Sequence, residues 1–305
     1  MHSIKNKKIL VLGGTGFLGK ILIKLLLEAG AKVLLISRSI TRLEEFHESI
    51  ISQRLKIING NVLDKKFLET LFNQVGTIIN LCGILYEREN GDFNKVHSDL
   101  PFILGELSAK NNIQNLIHIS ALGVSERSES SYSRSKASGE RKLLESFPKG
   151  KIVRPSLLFG KGDNFFGQFS EMSSLSPFLP LISGKTSFQP VFVYDVANAI
   201  ICLMTDKNKK NSIYEFGGNS IHTFEELLKI LLEIKNIKRF LIPLNRKLMM
   251  IPAFFLQCFP KPLFTVDQMK LLKKDNVLDG KLPGFKELGI KVTDMKEELI
   301  KIYSK

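Results

Sequence analysis

The sequence predicts an α/β protein with a doubly wound parallel sheet and a small C-terminal lid domain. Short apolar strands alternate with helices over about the first two thirds of the chain. A glycine-rich loop joins the first strand to the first helix, and the 305 residues are 44% apolar, enough for a large buried core. We therefore expect an ordered α/β chain of one large domain or two unequal domains.

The first unit is a strand at Lys8–Leu12, a loop at Gly13–Gly19 and a helix over Phe17–Ala29, which Gly30 ends. Further strands are predicted at Lys32–Ile36, Leu55–Ile58, Thr77–Leu81, Asn115–Ser120 and Ile152–Arg154. Helices are predicted from Thr41, over Asp99–Asn111, after Tyr132 and from the segment Val191–Asp195 to Leu203.

Because the alternation resumes so late, the two domains are predicted to be discontinuous. The Rossmann domain takes residues 1–158 plus 190–218, and the lid domain takes residues 159–189 plus 219–305. The lid segments lack the strand–helix alternation and are rich in Phe, Ser, Pro and Gly around 159–190.

Composition excludes several classes of protein. The net charge of +14 comes from dispersed lysines without a nucleic-acid recognition motif, so we predict no nucleic-acid binding. Cys82, Cys202 and Cys258 have neither disulfide spacing nor nearby histidines, which predicts no metal site. No apolar run approaches the roughly 20 residues of a membrane-spanning helix.

Three further polar residues are assigned structural roles. His97 and His118 are interpreted as surface or satisfied core residues, and Asp195 as the N-cap of the helix it begins.

The loop Gly13-Gly14-Thr15-Gly16-Phe17-Leu18-Gly19 predicts dinucleotide binding, because it follows a strand and opens a helix. Glycines let the backbone approach the pyrophosphate, whose charge then lies at the helix N-terminus. The predicted cofactor-binding residues in and near this loop are Gly13, Thr15, Gly16, Phe17, Leu18, Gly19, Ser37 and Arg38.

The residues after the second strand bear on the choice of cofactor. Ser37 and Arg38, with Arg42, offer charge-assisted hydrogen bonds to a 2′-phosphate, where an acidic residue would bind a free ribose hydroxyl. The sequence therefore favours NADP(H) over NAD(H). The alternative is a surface arginine that stacks on adenine and accepts either cofactor.

Tyr132 and Lys136 lie four residues apart and so share one helix face, and Ser120 lies upstream at a strand end. We predict that these three residues are catalytic. Lys136 is expected to lower the pKa of the Tyr132 phenol, so that the tyrosine exchanges a proton with a substrate oxygen that Ser120 orients.

Over nearly its whole length the chain resembles the atypical short-chain dehydrogenase/reductases related to the NAD(P)H-binding accessory subunit of respiratory complex I (NADH-ubiquinone oxidoreductase). The resemblance lies in the glycine loop and in Asn80–Leu85, Tyr132–Glu140, Arg154–Phe166 and Gln189–Ala197. It implies further cofactor-binding residues, namely Asn61, Val62, Leu81, Cys82, Gly83 and Pro155, with a purely structural role as the alternative for Pro155. Asn61 replaces the family's usual Asp, and its amide oxygen retains an acceptor for adenine.

The resemblance implies an NAD(P)(H)-binding accessory or assembly protein, with respiratory complex I or a quinone-biosynthesis assembly as partner. It also implies a cytoplasmic location at the inner face of an energy-transducing membrane. The alternative is an active NADP-dependent oxidoreductase or epimerase that uses Ser120, Tyr132 and Lys136 on an apolar substrate, since this sequence retains all three.

Leu248–Phe259 is strongly apolar and is flanked by Arg246, Lys247 and Lys261. One interpretation is a peripheral membrane contact, with the cations at the headgroups and the aromatic residues inward. The other is a helix of the lid that is buried over the cleft.

Overall fold

The computed structural model describes residues 4–38, 46–205, 212–245, 248–250 and 264–304. Seven parallel strands form its main sheet in the order β3-β2-β1-β4-β5-β6-β11. They are β1 (Lys8–Leu12), β2 (Lys32–Ser37), β3 (Leu55–Asn59), β4 (Thr77–Asn80), β5 (Asn115–Ile119), β6 (Lys151–Pro155) and β11 (Ile213–Phe216). The predicted doubly wound parallel sheet is confirmed.

Three pairs of short strands lie outside this sheet. They are β7 (Leu158–Phe159) with β10 (Val191–Phe192), β8 (Phe178–Ile182) with β13 (Phe240–Leu244), and β9 (Ser187–Phe188) with β12 (His222–Thr223). The helices described are α1 (Phe17–Glu28), α2 (His47–Ile51), α3 (Lys65–Phe72), α4 (Asp92–Asn94), α5 (Leu100–Lys110), α6 (Ser131–Ser146), α7 (Phe166–Leu175), α8 (Val193–Thr205), α9 (Phe224–Ile234), α10 (Val266–Leu271) and α11 (Met295–Tyr303).

The main sheet is covered on both faces, and β1 shows how the sequence achieves this. Ile9 and Val11 point into a core that α1 and α8 cover, whereas Leu10 and Leu12 point into a second core with α3, α5 and α6. Strand side chains alternate between faces, so a strand that is apolar throughout needs partners on both sides. The continuous apolar runs of the sequence follow from this burial.

Most predicted elements are found within two residues of their expected ends, and two predictions need correction. The helix expected at Asp99–Asn111 begins earlier, because α4 continues through a π-helical turn at Lys95–Asp99 into α5. Asp195 does not cap α8, since it lies inside the first turn and its carboxylate accepts hydrogen bonds from Thr293 N and Oγ1, both at 2.8 Å.

The segments predicted to form the lid contain a cluster of aromatic side chains. Phe165 contacts the rings of Phe166, Phe169, Phe188 and Phe224 at centroid distances of 5.0–6.4 Å. The division into Rossmann and lid residues stays a prediction. Residues 285–292 pack against the core that lies between the main sheet and helices α1 and α8. Phe285 is buried in this core, and the centroid of its ring lies 4.5 Å from that of Phe216.

Among the described residues, no helix has both the length and the apolar character that crossing a bilayer requires. The predicted helix start at Thr41, together with Arg42, lies outside the described residues, as does Leu248–Phe259 beyond Met250.

Candidate functional site

The predicted site residues collect at one edge of the main sheet. The glycine loop follows β1, Ser37 ends β2 and Arg38 comes next, and Asn61 and Val62 follow β3. Leu81, Cys82 and Gly83 follow β4, Ser120 follows β5, and Pro155 ends β6. The carboxyl ends of parallel strands are where α/β sheets bind ligands, at the point where the strand order reverses, here between β1 and β4.

Gly13 brings the glycine loop against the end of β4. Its φ of +77° lies in the left-handed region, and a Cβ built on it would lie 2.8 Å from Leu81 C and from Cys82 N. A Cβ on Gly19 would lie 2.5 Å from the Gly14 Cα. The two glycines therefore permit a backbone approach that no side chain would allow.

The N-terminus of α1 is suited to an anion. Gly16 is its N-cap residue, which offers no side-chain hydrogen bond, and its first turn contains no acidic residue. A helix of this length presents unpaired amides and a partial positive charge at this end. Together with the close approach at Gly13, this arrangement fits a dinucleotide pyrophosphate. Thr15 and Phe17 are half-buried beside it, whereas Leu18 is buried in the core.

The residues expected around the adenosine moiety differ in exposure. Ser37 is buried and Arg38 is exposed. Asn61 Oδ1 accepts the Leu63 backbone N–H at 3.0 Å, so one of its lone pairs stabilises the loop after β3 and the other remains for a ligand. Val62 packs against the core beneath this loop.

A buried polar chain fixes the backbone after β4. Asn80 Oδ1 accepts the Cys82 N–H at 3.1 Å, and Asn80 Nδ2 donates to His118 Nδ1 at 3.0 Å. His118 is wholly buried on the neighbouring strand β5, and burial lowers its pKa well below the usual value. The neutral ring accepts at Nδ1 and rigidifies the wall of the site. The sequence shows Asn80 only as part of the segment Asn80–Leu85 and predicts no specific contact for His118.

Lys136 reaches the same edge of the sheet from α6. Its Nζ donates to Ile119 O at 2.9 Å, next to Ser120, and a Cβ added to Gly83 would lie 3.4 Å from that nitrogen. Burial lowers the pKa of Lys136 to about 8, against the opposing effect of the Glu140 carboxylate. The structure thus brings Lys136, Ser120 and Gly83 together.

Tyr132 is surrounded by aromatic rings. His97 meets it edge-on at a centroid distance of 5.2 Å and Phe93 at 5.8 Å, and the His97 and Phe93 rings stack at 5.3 Å. His97 lies in the π-helical turn, a feature often found at functional sites. The sequence did not predict that His97 contacts Tyr132, because the two residues are distant in the sequence.

The hydrogen bonds of His97 fix its tautomer. Ile84 N donates to His97 Nε2 at 3.0 Å, which makes Nε2 an acceptor. Ser135 Oγ donates to Tyr132 O at 2.9 Å, so the 3.1 Å contact between His97 Nδ1 and Ser135 Oγ has the ring nitrogen as donor. Burial, with the nearby charge of Lys136, lowers the pKa of His97 to about 2, so the ring is neutral.

The expected lowering of the Tyr132 pKa is wrong for this structure. Burial, together with the carboxylate of Asp267, raises the pKa of the phenol to about 12. In the part of the chain that the structure describes, no hydrogen bond joins the Tyr132 hydroxyl to Lys136 or Ser120. Ser120 Oγ is buried and has no partner among the described residues, which leaves it able to bond an oxygen of a bound molecule.

Arg154 is part of an ion-pair network beneath the site. It donates to Glu140 on α6 at 2.6 Å and 2.9 Å and to Glu215 on β11 at 3.1 Å. Its neighbour Pro155 is buried, and its carbonyl accepts the Leu122 N–H at 3.0 Å. Arg154 therefore joins three elements of the fold.

The N-terminus of α6 receives a residue that sequence analysis did not single out. The Asp267 carboxylate, from α10, accepts hydrogen bonds from Ser131 N at 2.7 Å, Tyr132 N at 3.1 Å and Ser130 Oγ at 2.5 Å. No local pattern could reveal this contact, since Asp267 lies far along the chain. Over the described residues, no group of three or more His, Cys, Asp or Glu side chains could hold a metal ion.

Comparison with known proteins agrees with this geometry. The chain is similar to NADH dehydrogenase [ubiquinone] 1 alpha subcomplex subunit 9, mitochondrial, from Dictyostelium discoideum, with 29% identity, 96% of this chain and 83% of the relative covered. The protein of the same name from Arabidopsis thaliana is 30% identical, with 92% and 73% covered. The fold matches UDP-glucose 4-epimerase from Thermotoga maritima with a TM-score of 0.75 at 20% identity, covering 97% of both chains.

The family model described as "NAD dependent epimerase/dehydratase family" matches residues 9–217, which include the glycine loop, Ser120, Tyr132, Lys136 and, except for Lys8, all strands of the main sheet. The predicted resemblance to the complex I accessory subunits is confirmed over nearly the full length of the chain. The chain belongs to the NAD dependent epimerase/dehydratase family.

Proposed function

We propose that this protein is an NAD(P)(H)-binding accessory subunit of a respiratory NADH-ubiquinone oxidoreductase, in which the dinucleotide stabilises the fold. The observation that carries the proposal is the similarity, over 92–96% of the chain, to relatives that are named subunits of that enzyme. The location proposed with it is the inner face of the energy-transducing membrane.

The site supports the cofactor part of this proposal. The Gly13 backbone and the free amides of α1 would hold the pyrophosphate, and exposed Arg38 after β2 would meet the adenosine end. A bound nicotinamide supplies hydride-transfer chemistry. Because an arginine rather than an acidic residue follows Ser37, we propose a preference for NADP(H) over NAD(H).

The cofactor is tested by purifying the protein without additives, denaturing it and identifying the released nucleotide by mass. We expect NADP(H). We expect Arg38→Ala to weaken NADP(H) binding about tenfold, or about 1.4 kcal/mol, and to leave NAD(H) binding nearly unchanged. Arg141→Ala, which removes an exposed arginine on α6, is the matched control. Recovery of NAD(H) alone would contradict the preference.

The second candidate function is an oxidoreductase or epimerase that acts on an apolar substrate, including a quinone precursor. The observation that favours it is the unpartnered Ser120 hydroxyl near Lys136 on the edge that Tyr132 also approaches. Tyr132→Phe separates the two functions. An accessory subunit keeps its cofactor binding and its support of respiration, whereas an enzyme loses its activity.

The proposed partner contact includes a peripheral membrane tether at Leu248–Phe259, of which residues 248–250 are described. Leu248 is 69% exposed, and the strand before it carries Phe240, which is 68% exposed. Flotation with anionic vesicles should decrease as salt increases, because clustered cations attract the headgroups. A folded protein that lacks residues 248–259 should lose this binding. Unchanged binding would exclude the tether.

A further inference from the structure

The cap of α6 comes from a different part of the chain. Ser130 provides the local cap, with its Oγ accepting the Ser133 N–H at 3.2 Å. Asp267 adds acceptors for the Ser131 and Tyr132 amides and for the Ser130 hydroxyl. One carboxylate thus binds three donors of the turn that contains Tyr132. A charged acceptor shared among several donors is stronger than a neutral cap.

Asp267 is held firmly in this position. Its helix begins with a capping box, in which Thr265 Oγ1 accepts the Gln268 N–H at 3.2 Å and Gln268 Oε1 accepts the Thr265 N–H at 3.0 Å. Met269 anchors the same helix in an apolar cluster. An ion pair between Lys273 and Glu129 links the residues that follow α10 to the loop before α6.

The residues after α10 also form hydrogen bonds with the loops at the edge of the main sheet. Asn276 Nδ2 donates to Leu122 O at 3.1 Å, and Ser156 Oγ donates to Asn276 Oδ1 at 2.7 Å. These contacts place residues 265–276, which we name the strap, across the loops that follow β5 and β6. The strap therefore contacts both the site edge and the helix that carries Tyr132 and Lys136.

The position of Asp267 has an electrostatic consequence. A bare helix N-terminus carries about half a positive charge, which would favour a phenolate in the first turn. The Asp267 carboxylate offsets that charge. The ring of His97, which meets that of Tyr132 edge-on, is neutral, and the Lys136 ammonium, one helical turn along α6, donates to Ile119 O.

We propose that Asp267 is a positioning residue that fixes the first turn of α6 and that, together with burial, disfavours ionisation of the Tyr132 hydroxyl. In this state the phenol can donate a hydrogen bond or a proton to an oxygen of a bound molecule, and it cannot accept a proton. This inference rests on the proposed function only in taking Tyr132 to be a residue of the site. The ionisation of Tyr132 can be measured on the protein without cofactor or partner.

The experiment is a titration of tyrosinate absorbance at 295 nm between pH 8 and 11, with folding checked at each pH by circular dichroism. The contribution of Tyr132 is the difference between each protein and its Tyr132→Phe counterpart. We expect no Tyr132 contribution in the unmodified chain. Asp267→Asn should shift the Tyr132 titration to lower pH, so that its absorbance begins to increase earlier than in the unmodified chain, while burial still holds the pKa above its ordinary value. Asp267→Glu should titrate like the unmodified chain.

Asp64→Asn is the matched control, because Asp64 caps a different helix, α3, through the Phe67 N–H. If Asp267→Asn does not fold, Asp267→Ser retains one acceptor without the charge. The proposal is overturned if neither variant ionises Tyr132 more readily than Asp64→Asn does. Loss of cofactor or complex binding alone would leave this result unchanged and would contradict only the proposed function.

Discussion

Gly13 contributes to the candidate site through its backbone alone. The sequence pattern predicted a tight loop there, but it could not show that the loop presses against the peptide between Leu81 and Cys82. That contact depends on the neighbouring positions of β1 and β4 in the sheet, which a local pattern does not contain. The structure thereby supplies the reason why this particular glycine is needed.

Gly13→Ala and Gly123→Ala test this contact as a pair. Both glycines have a left-handed φ, +77° and +75°, but a Cβ on Gly123 would meet no atom within 4 Å. Each variant should lose about 1–2 kcal/mol of unfolding free energy from the backbone conformation. Gly13→Ala should lose more than that, together with dinucleotide binding. Equal losses in denaturant unfolding would contradict the close approach.

Lys136 should make the stability of the protein depend on pH. Burial lowers its folded-state pKa to about 8, below its ordinary value of 10.5, so the unfolded chain binds more protons between those limits. Stability therefore increases as pH increases from about 8 to 10.5, by at most about 1.4 kcal/mol per pH unit from this group.

Lys136→Met removes this contribution, and comparison with the unmodified chain cancels the other titrating groups. The unfolding free energy of the variant minus that of the unmodified chain should be constant below pH 8 and should fall between pH 8 and 10.5. Lys142→Met, at a more exposed position on the same helix, controls for the loss of a lysine side chain from α6. A flat difference for Lys136→Met would mean that the pKa of Lys136 is ordinary.

At the scale of elements, the sequence predicted the strands of the main sheet well, because both faces of the sheet are buried and the strands are apolar throughout. It did not predict α3, which has only eight residues and a weak apolar content. It also placed the start of the helical segment at Asp99, whereas α4 and the π-helical turn at Lys95–Asp99 precede α5. The π-helical turn breaks the regular spacing of apolar residues, so the sequence pattern did not reveal it. Such turns are stabilised by packing, here against α6.

Arg154 connects β6, α6 and β11 through its pairs with Glu140 and Glu215, and its side chain is only 19% exposed. Arg154→Met should lower the unfolding free energy by about 3–5 kcal/mol, because two carboxylates stay buried without their partner. Arg141→Met is the control, since Arg141 also pairs with two carboxylates but is 52% exposed. It should cost about 1 kcal/mol or less in urea unfolding. Similar losses would contradict the role of burial.

At the scale of the whole molecule, the doubly wound parallel sheet and the family were predictable, but the contacts between distant segments were not. Asp267 lies more than 130 residues from Tyr132, and Phe285 lies far from the strands whose core it enters. Sequence periodicity identifies a buried face and does not identify what covers it. The roles of Asp267 and Phe285 therefore required the structure.

Phe285→Ala should destabilise the Rossmann core, because the ring is 6% exposed and lies 4.5 Å from that of Phe216. The expected loss is about 3–5 kcal/mol of unfolding free energy, with faster amide exchange in β11. Phe240→Ala removes a ring that is 68% exposed and should cost about 1 kcal/mol or less. Hydrogen exchange that is unchanged in β11 would show that Phe285 does not seal this core.

The contact of Phe285 with the Rossmann core has a consequence for synthesis on the ribosome. The glycine loop and α6 are translated long before the strap and residues 285–292, yet they depend on these later segments for a cap and for part of their core. A nascent chain that ends before the strap exposes the apolar face that Phe285 covers. Cofactor binding should therefore begin only after these segments leave the ribosome, which makes a bound dinucleotide a mark of a chain translated beyond residue 292.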